Sequence, residues 1–322
     1  MSHLPFTAPH TQITNNTIIV FDGLLEDDDP TAERVYKVLE LECSVAEHPP
    51  NLLYVRVPTP GHLLYELEKL ASACRADGVR PIIQIECHGD PQLGLSWGDD
   101  SRNGTLPWKH LSEALRRVNI AADGNLGVVT ACCFGIHAVA PLDIKRTTPF
   151  FFLVGPDDTV DSGPLFRETR TFYMHLIRHS NLSVAFSTLK ACEYFFAVPF
   201  FYVAAARAYQ KIGGRGRQGR IEQLVTLARF RNGTARPKPE QLKTWRRAFK
   251  SNMTDASLRD RFLGYAQDFL GSKAKGAEVL KDLFAWAKSV PADRRIRQSS
   301  APPDPSNALT DGRGEADETD AT

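Results

Sequence analysis

Two apolar runs, Ile82–Gly89 (IIQIECHG) and Leu126–Gly135 (LGVVTACCFG), most constrain what this chain can fold into. Each is rich in β-branched residues, bounded by breakers, and the length of a buried strand. Each also ends in a reactive group. The first ends in His88 followed by Gly89, the second in Cys132 and Cys133 followed shortly by Gly135. In a parallel α/β sheet the carboxyl ends of the strands are where ligands are held. The interval between the two runs has room for a hairpin and a helix, which is one crossover from a strand to its neighbour. Neighbouring strands would therefore deliver an imidazole and a thiol to one sheet edge.

The rest of the chain supplies the other elements of such a sheet. Strands are expected at Thr17–Phe21, Leu52–Val57, Pro81–Cys87, Leu126–Ala131 and Phe150–Val154. Helices alternate with them: Pro30–Ala46, Pro60–Asp77 closed by Gly78, Pro107–Val118, Leu165–Arg178 and Leu182–Leu189. A small hairpin follows His88, with its turn at Asp99–Gly104. This order indicates an α/β domain with a mostly parallel sheet over residues 17–190. From about Ala191 no run reads as a strand, and helices are expected at Tyr194–Lys211, Ile221–Arg229, Pro239–Ser251, Ala256–Leu270 and Ala277–Ser289. The expected division is thus a flexible N-terminus over 1–16, the α/β domain over 17–190, a helical region over 191–290 and a disordered tail over 291–322. The tail is rich in Pro, Ser, Asp and Gly and cannot bury enough apolar surface to offset its ordering entropy.

Composition excludes several classes. With 42% apolar and 24% charged residues and a net charge of +1, the 322-residue chain reads as an ordinary globular protein. Its six cysteines are scattered without a CxxC pair, which argues against a zinc site and a disulfide framework. The start lacks a signal-peptide pattern, and the longest apolar stretch, Tyr194–Ala206, is too short to span a membrane. A cytoplasmic setting, no metal and no cofactor are the expectation.

A thiol is a weak nucleophile at its free pKa of about 8.5, and an adjacent imidazole can take its proton. Gly89 allows close approach of a substrate backbone, and its N–H can meet a developing oxyanion. The bland alternative is that both residues are structural, since cysteine is among the most buried residue types.

The ordered set ECHGDPQLGLSWGD (Glu86–Asp99), TLPWKHLSEAL (Thr105–Leu115), VVTACCFG (Val128–Gly135), FFLVGPDDTV (Phe151–Val160) and LFRETRTFYMHLIRH (Leu165–His179) resembles the caspase-like cysteine peptidases. It looks most like the CHAT group of bacterial caspase relatives. The resemblance covers roughly residues 15–190 and implies a three-layer α/β fold and cysteine endopeptidase activity on protein or peptide substrates. It implies a catalytic His88 and one of Cys132 and Cys133. The Ala-Cys-x-x-Gly form fits Cys132 through Ala131 and Gly135, whereas the Ala-Cys-x-Gly form fits Cys133 only through its glycine. Cys132 is therefore the expected nucleophile, with Gly89 at the oxyanion. Thr130 stands where caspases carry Gln and metacaspases Asp, so neither substrate preference transfers. Thr130, Asp157, Asp158 and Asp161 are candidate substrate contacts, the aspartates as a pocket for a basic side chain.

Between Arg207 and Lys250 the chain carries thirteen basic residues and two acidic ones. A solvated face is the commoner explanation, but such a segment also suits a regulatory partner. The competing class is therefore an inactive caspase-like module that binds a partner protein or nucleic acid through this region. The link Gly213–Gly219 reads as exposed and unstructured, with Arg215, Arg217 or Arg220 as a self-processing site.

Overall fold

The computed structural model describes residues 12–97, 104–213, 216–232, 237–274 and 276–289. Nine strands form two sheets among these residues. The large sheet contains β1 (Thr17–Asp22), β2 (Asn51–Arg56), β3 (Pro81–Glu86), β7 (Gly127–Ala131), β8 (Phe152–Pro156) and β9 (Cys192–Phe196), in the order β2-β1-β3-β7-β8-β9. All pairings are parallel except β8 with β9. β1, β3, β7 and β8 are buried along their whole length, which is why they read as unbroken apolar runs. The edge strand β2 is mostly open to solvent on both faces.

Helices α1 (Thr31–Ser44) and α2 (Pro60–Asp77) cross in opposite directions, from β1 to β2 and from β2 past β1 to β3. Right-handed crossovers then place them on opposite faces of the sheet. α2 packs on α3 (Trp108–Ala121), and α1 packs on α4 (Ser162–His179), where Arg178 grips Glu42 with bonds of 2.9 to 3.1 Å. Thr59 caps α2 by accepting from the His62 N–H, and Gly78 closes it at φ 67°, a left-handed position that favours glycine. The hairpin after β3 is a second sheet of β4 (His88–Asp90), β5 (Gly94–Ser96) and β6 (Thr105–Leu106). α5 (Leu182–Phe186) follows α4.

Three expectations need correction. The sixth strand, β9, lies inside the region expected to be purely helical. Its Tyr194, Phe195 and Phe196 are strand residues, and α6 (Ala197–Ile212) starts directly after them. The main sheet therefore runs past residue 190. Residues 12–16 of the expected flexible N-terminus are tied down, since Asn15 donates to the carbonyls of Pro81 and Asn125 and the Asn16 N–H donates to Arg80. The link is less open than expected, because α7 (Arg217–Arg231) begins within it and Arg217 donates to Asp255 at 2.7 Å. Arg215, residues 1–11 and the tail over 291–322 lie outside the described residues.

α6, α9 (Asp255–Leu270) and α10 (Ala277–Ser289) share the main hydrophobic core with the sheet, through stacked pairs such as Phe201 on Phe269 and Tyr209 on Phe284. α7 and α8 (Pro239–Ser251) instead pack on a small cluster of their own around Ile221, Val225 and Met253. Among the described residues no helix is long and apolar enough to cross a membrane.

Candidate active site

β3 and β7 are adjacent and parallel, in register through Glu86 and Ala131. One step beyond that last pair come Cys87 and Cys132, and two steps beyond come His88 and Cys133. The sequence order thus brings both candidate groups to the carboxyl edge of neighbouring strands. Gly89 makes the approach close. A Cβ on Gly89 would collide with the Cys133 carbonyl oxygen and lie 3.3 Å from Cys132 Sγ. The turn carrying His88 therefore rests directly on the two cysteines.

The two thiols have different surroundings. Cys132 is 3% exposed and lies beside the buried Cys87 at the ends of the two strands. The neighbouring Cys87 thiol, then burial and the charge of Glu86, hold the Cys132 thiol well above its ordinary range. A thiol so placed is protonated and shielded from solvent. Cys133 is partly exposed. It occupies the second position of a tight turn in which the Gly135 N–H donates to the Cys132 carbonyl at 3.2 Å. The third position is Phe134 at φ 59° and ψ 19°, left-handed backbone that a non-glycine residue adopts at a cost of about 1 kcal/mol. The turn carries Cys133 out of the sheet, and its Sγ accepts a weak bond from the Val160 N–H at 3.5 Å.

His88 has an exposed side chain and bonds through Nε2 to Oδ2 of Asp28 at 3.0 Å. Asp28 lies in the acidic loop after β1, the neighbour of β3, and inspection of the sequence does not single it out. The loop is anchored at both ends. Asp22 accepts from Tyr54, Arg56 and the Leu24 N–H, while Asp29 accepts from Arg34 at 3.0 and 3.1 Å and from Ser162 at 3.0 Å. Ser162 opens α4, so this contact ties the loop after β1 to the loop after β8. Among the described residues neither cysteine is hydrogen-bonded to His88.

Thr130 is fully buried, and its hydroxyl donates to the Val154 carbonyl at 3.1 Å. A Cβ on Gly135 or Gly155 would run into that hydroxyl, so Thr130 has no open face toward a substrate, contrary to expectation. The aspartates of the loop after β8 do adjoin the cysteines, since the Phe134 N–H donates to the Asp158 carbonyl. Asp157 lies 3.4 Å from His137 Nε2, Asp158 accepts from the Thr159 N–H, and Asp161 precedes α4 with an exposed side chain.

Beneath the site Glu86 is buried and accepts from Thr31 at 2.8 Å and from Gln84. Burial pushes its carboxyl up to about 7 against the opposing effect of those bonds. Among the described residues no three His, Cys, Asp or Glu side chains converge on a metal position. No model of a known protein family matches the chain, and no curated protein matches its sequence.

Proposed function

We propose that this chain is a cysteine endopeptidase of caspase-like architecture, with His88 as base and Cys133, rather than Cys132, as nucleophile. The supporting observations are the seat of Gly89 against the Cys133 carbonyl, which sets the histidine turn beside the cysteine pair, and the partial exposure of Cys133 where Cys132 is buried. His88 takes the proton of Cys133, and the sulfur attacks the scissile carbonyl carbon. The N–H groups of Gly89 and Cys133 meet the oxyanion. Collapse of the intermediate breaks the C–N bond, and the His88 proton goes to the departing amine. Water, deprotonated by His88, then cleaves the thioester and frees the acid. His88 engages Asp28 in the substrate-free protein, and its approach to the thiol tightens as a peptide is bound.

The loop after β8 carries Asp157, Asp158 and Asp161, which favour a substrate with a basic side chain beside the scissile bond. A second class, an inactive module binding a partner, draws on the α7–α8 pair. Arg229, Arg231, Lys243, Arg247 and Lys250 are exposed there, outside the main core. Incubation with a random peptide library separates the two. The peptidase cleaves it and Cys133→Ala does not, whereas a binding module leaves the library intact in both forms.

A further inference from the structure

We infer that Asp28 is a positioning residue for His88: it fixes the ring so that Nδ1 is the nitrogen that exchanges a proton with the thiol. The inference rests on the peptidase reading above. A carboxylate only accepts hydrogen bonds, so the 3.0 Å contact with Oδ2 requires the hydrogen of the imidazole to be on Nε2. The opposite tautomer would set the Nε2 lone pair against the carboxylate. With Nε2 protonated, Nδ1 of the neutral ring is a bare acceptor, as a base must be.

Asp28 is itself held for this task. Its Oδ2 accepts the Leu25 N–H at 2.7 Å, and its own N–H donates back to the Leu25 carbonyl at 3.2 Å, closing a small turn. The anchors at Asp22 and Asp29 hold that turn on either side. Asp28 is only 23% exposed in its side chain, whereas His88 is 47% exposed. The fixed partner is thus the carboxylate, and the imidazole is oriented by it.

The experiment uses the full-length protein labelled with 15N in its histidines, with His88 assigned by the loss of its signals in His88→Asn. Ring 15N shifts report the tautomer, and the rate of Cys133 alkylation by iodoacetamide at neutral pH, read by mass spectrometry, reports thiol activation. Wild type should show His88 protonated on Nε2. Asp28→Asn should give a mixed tautomer and alkylate Cys133 about tenfold more slowly. Asp27→Asn removes the same charge from the same loop and should leave both readouts unchanged. A wild-type ring protonated on Nδ1 overturns the inference. So does an Asp28→Asn protein that reacts like wild type while His88→Asn is slow, and in that case the Cys133–His88 pair stands without its third member. If His88→Asn alkylates as fast as wild type, the pair itself fails and the role of Asp28 falls with it.

Discussion

Cys87 and Cys132 each follow the last paired residue of two adjacent parallel strands, and both are buried, one residue before the groups proposed to react. That placement separates two consecutive cysteines into a buried one, Cys132, and a partly exposed one, Cys133. Cys133→Ala should therefore abolish peptide hydrolysis with little change in stability. Cys132→Ala should keep most of the activity and lose about 1 kcal/mol of stability, since it only trims a buried side chain. Kinetics and urea denaturation of both variants check this, and the reverse pattern would return the nucleophile to Cys132.

Gly89 has no room for a side chain. Gly89→Ala drives a Cβ into the Cys133 carbonyl and must displace one of the two turns. A displacement of about an ångström at a reacting group costs on the order of a hundredfold in rate. The variant is expected to be folded by circular dichroism and slowed by at least that factor in kcat.

Thr130 serves the sheet rather than the substrate. Thr130→Val leaves the Val154 carbonyl without its donor and should cost about 1 kcal/mol. The cleavage-site preference, read from a peptide library, should not change.

Glu86 predicts a pH dependence of stability. Its folded pKa of about 7 lies above the reference value of 4.5, so the native state binds the extra proton between those values. Stability is then highest below that window, falls as pH rises through it, and levels off above about 7. The difference is about 3 kcal/mol. Glu86→Gln removes this dependence. The Gln84 amide oxygen, buried without a partner, can then accept from the new amide. Urea titrations at pH 5 and pH 8 should show the variant gaining on wild type at the higher pH, and parallel behaviour would exclude this role for Glu86.

Much of the scaffold is legible in the sequence. β1, β3, β7 and β8 are buried on both faces and leave continuous apolar runs, and Gly78 marks the end of α2. β9 is hidden because CEYFF passes without a breaker into the equally apolar α6. The meeting of the histidine and cysteine runs follows from strand order alone. The choice between Cys132 and Cys133 does not, because it depends on where the strand stops and the turn at Phe134 begins. Asp28 is invisible for a similar reason. It stands among Glu26, Asp27 and Asp29, and only the folded loop directs one of these four carboxylates at His88.

The most direct measurement of the central claim is covalent capture of the nucleophile. An acyloxymethyl ketone on a short peptide ending in arginine is attacked at its methylene carbon by the active-site sulfur with loss of the carboxylate, and the thioether formed can be located by tandem mass spectrometry. The account predicts a single adduct on Cys133 that is lost in His88→Asn. An adduct on Cys132, or labelling of the partly exposed Cys43 as fast as that of Cys133, would contradict it.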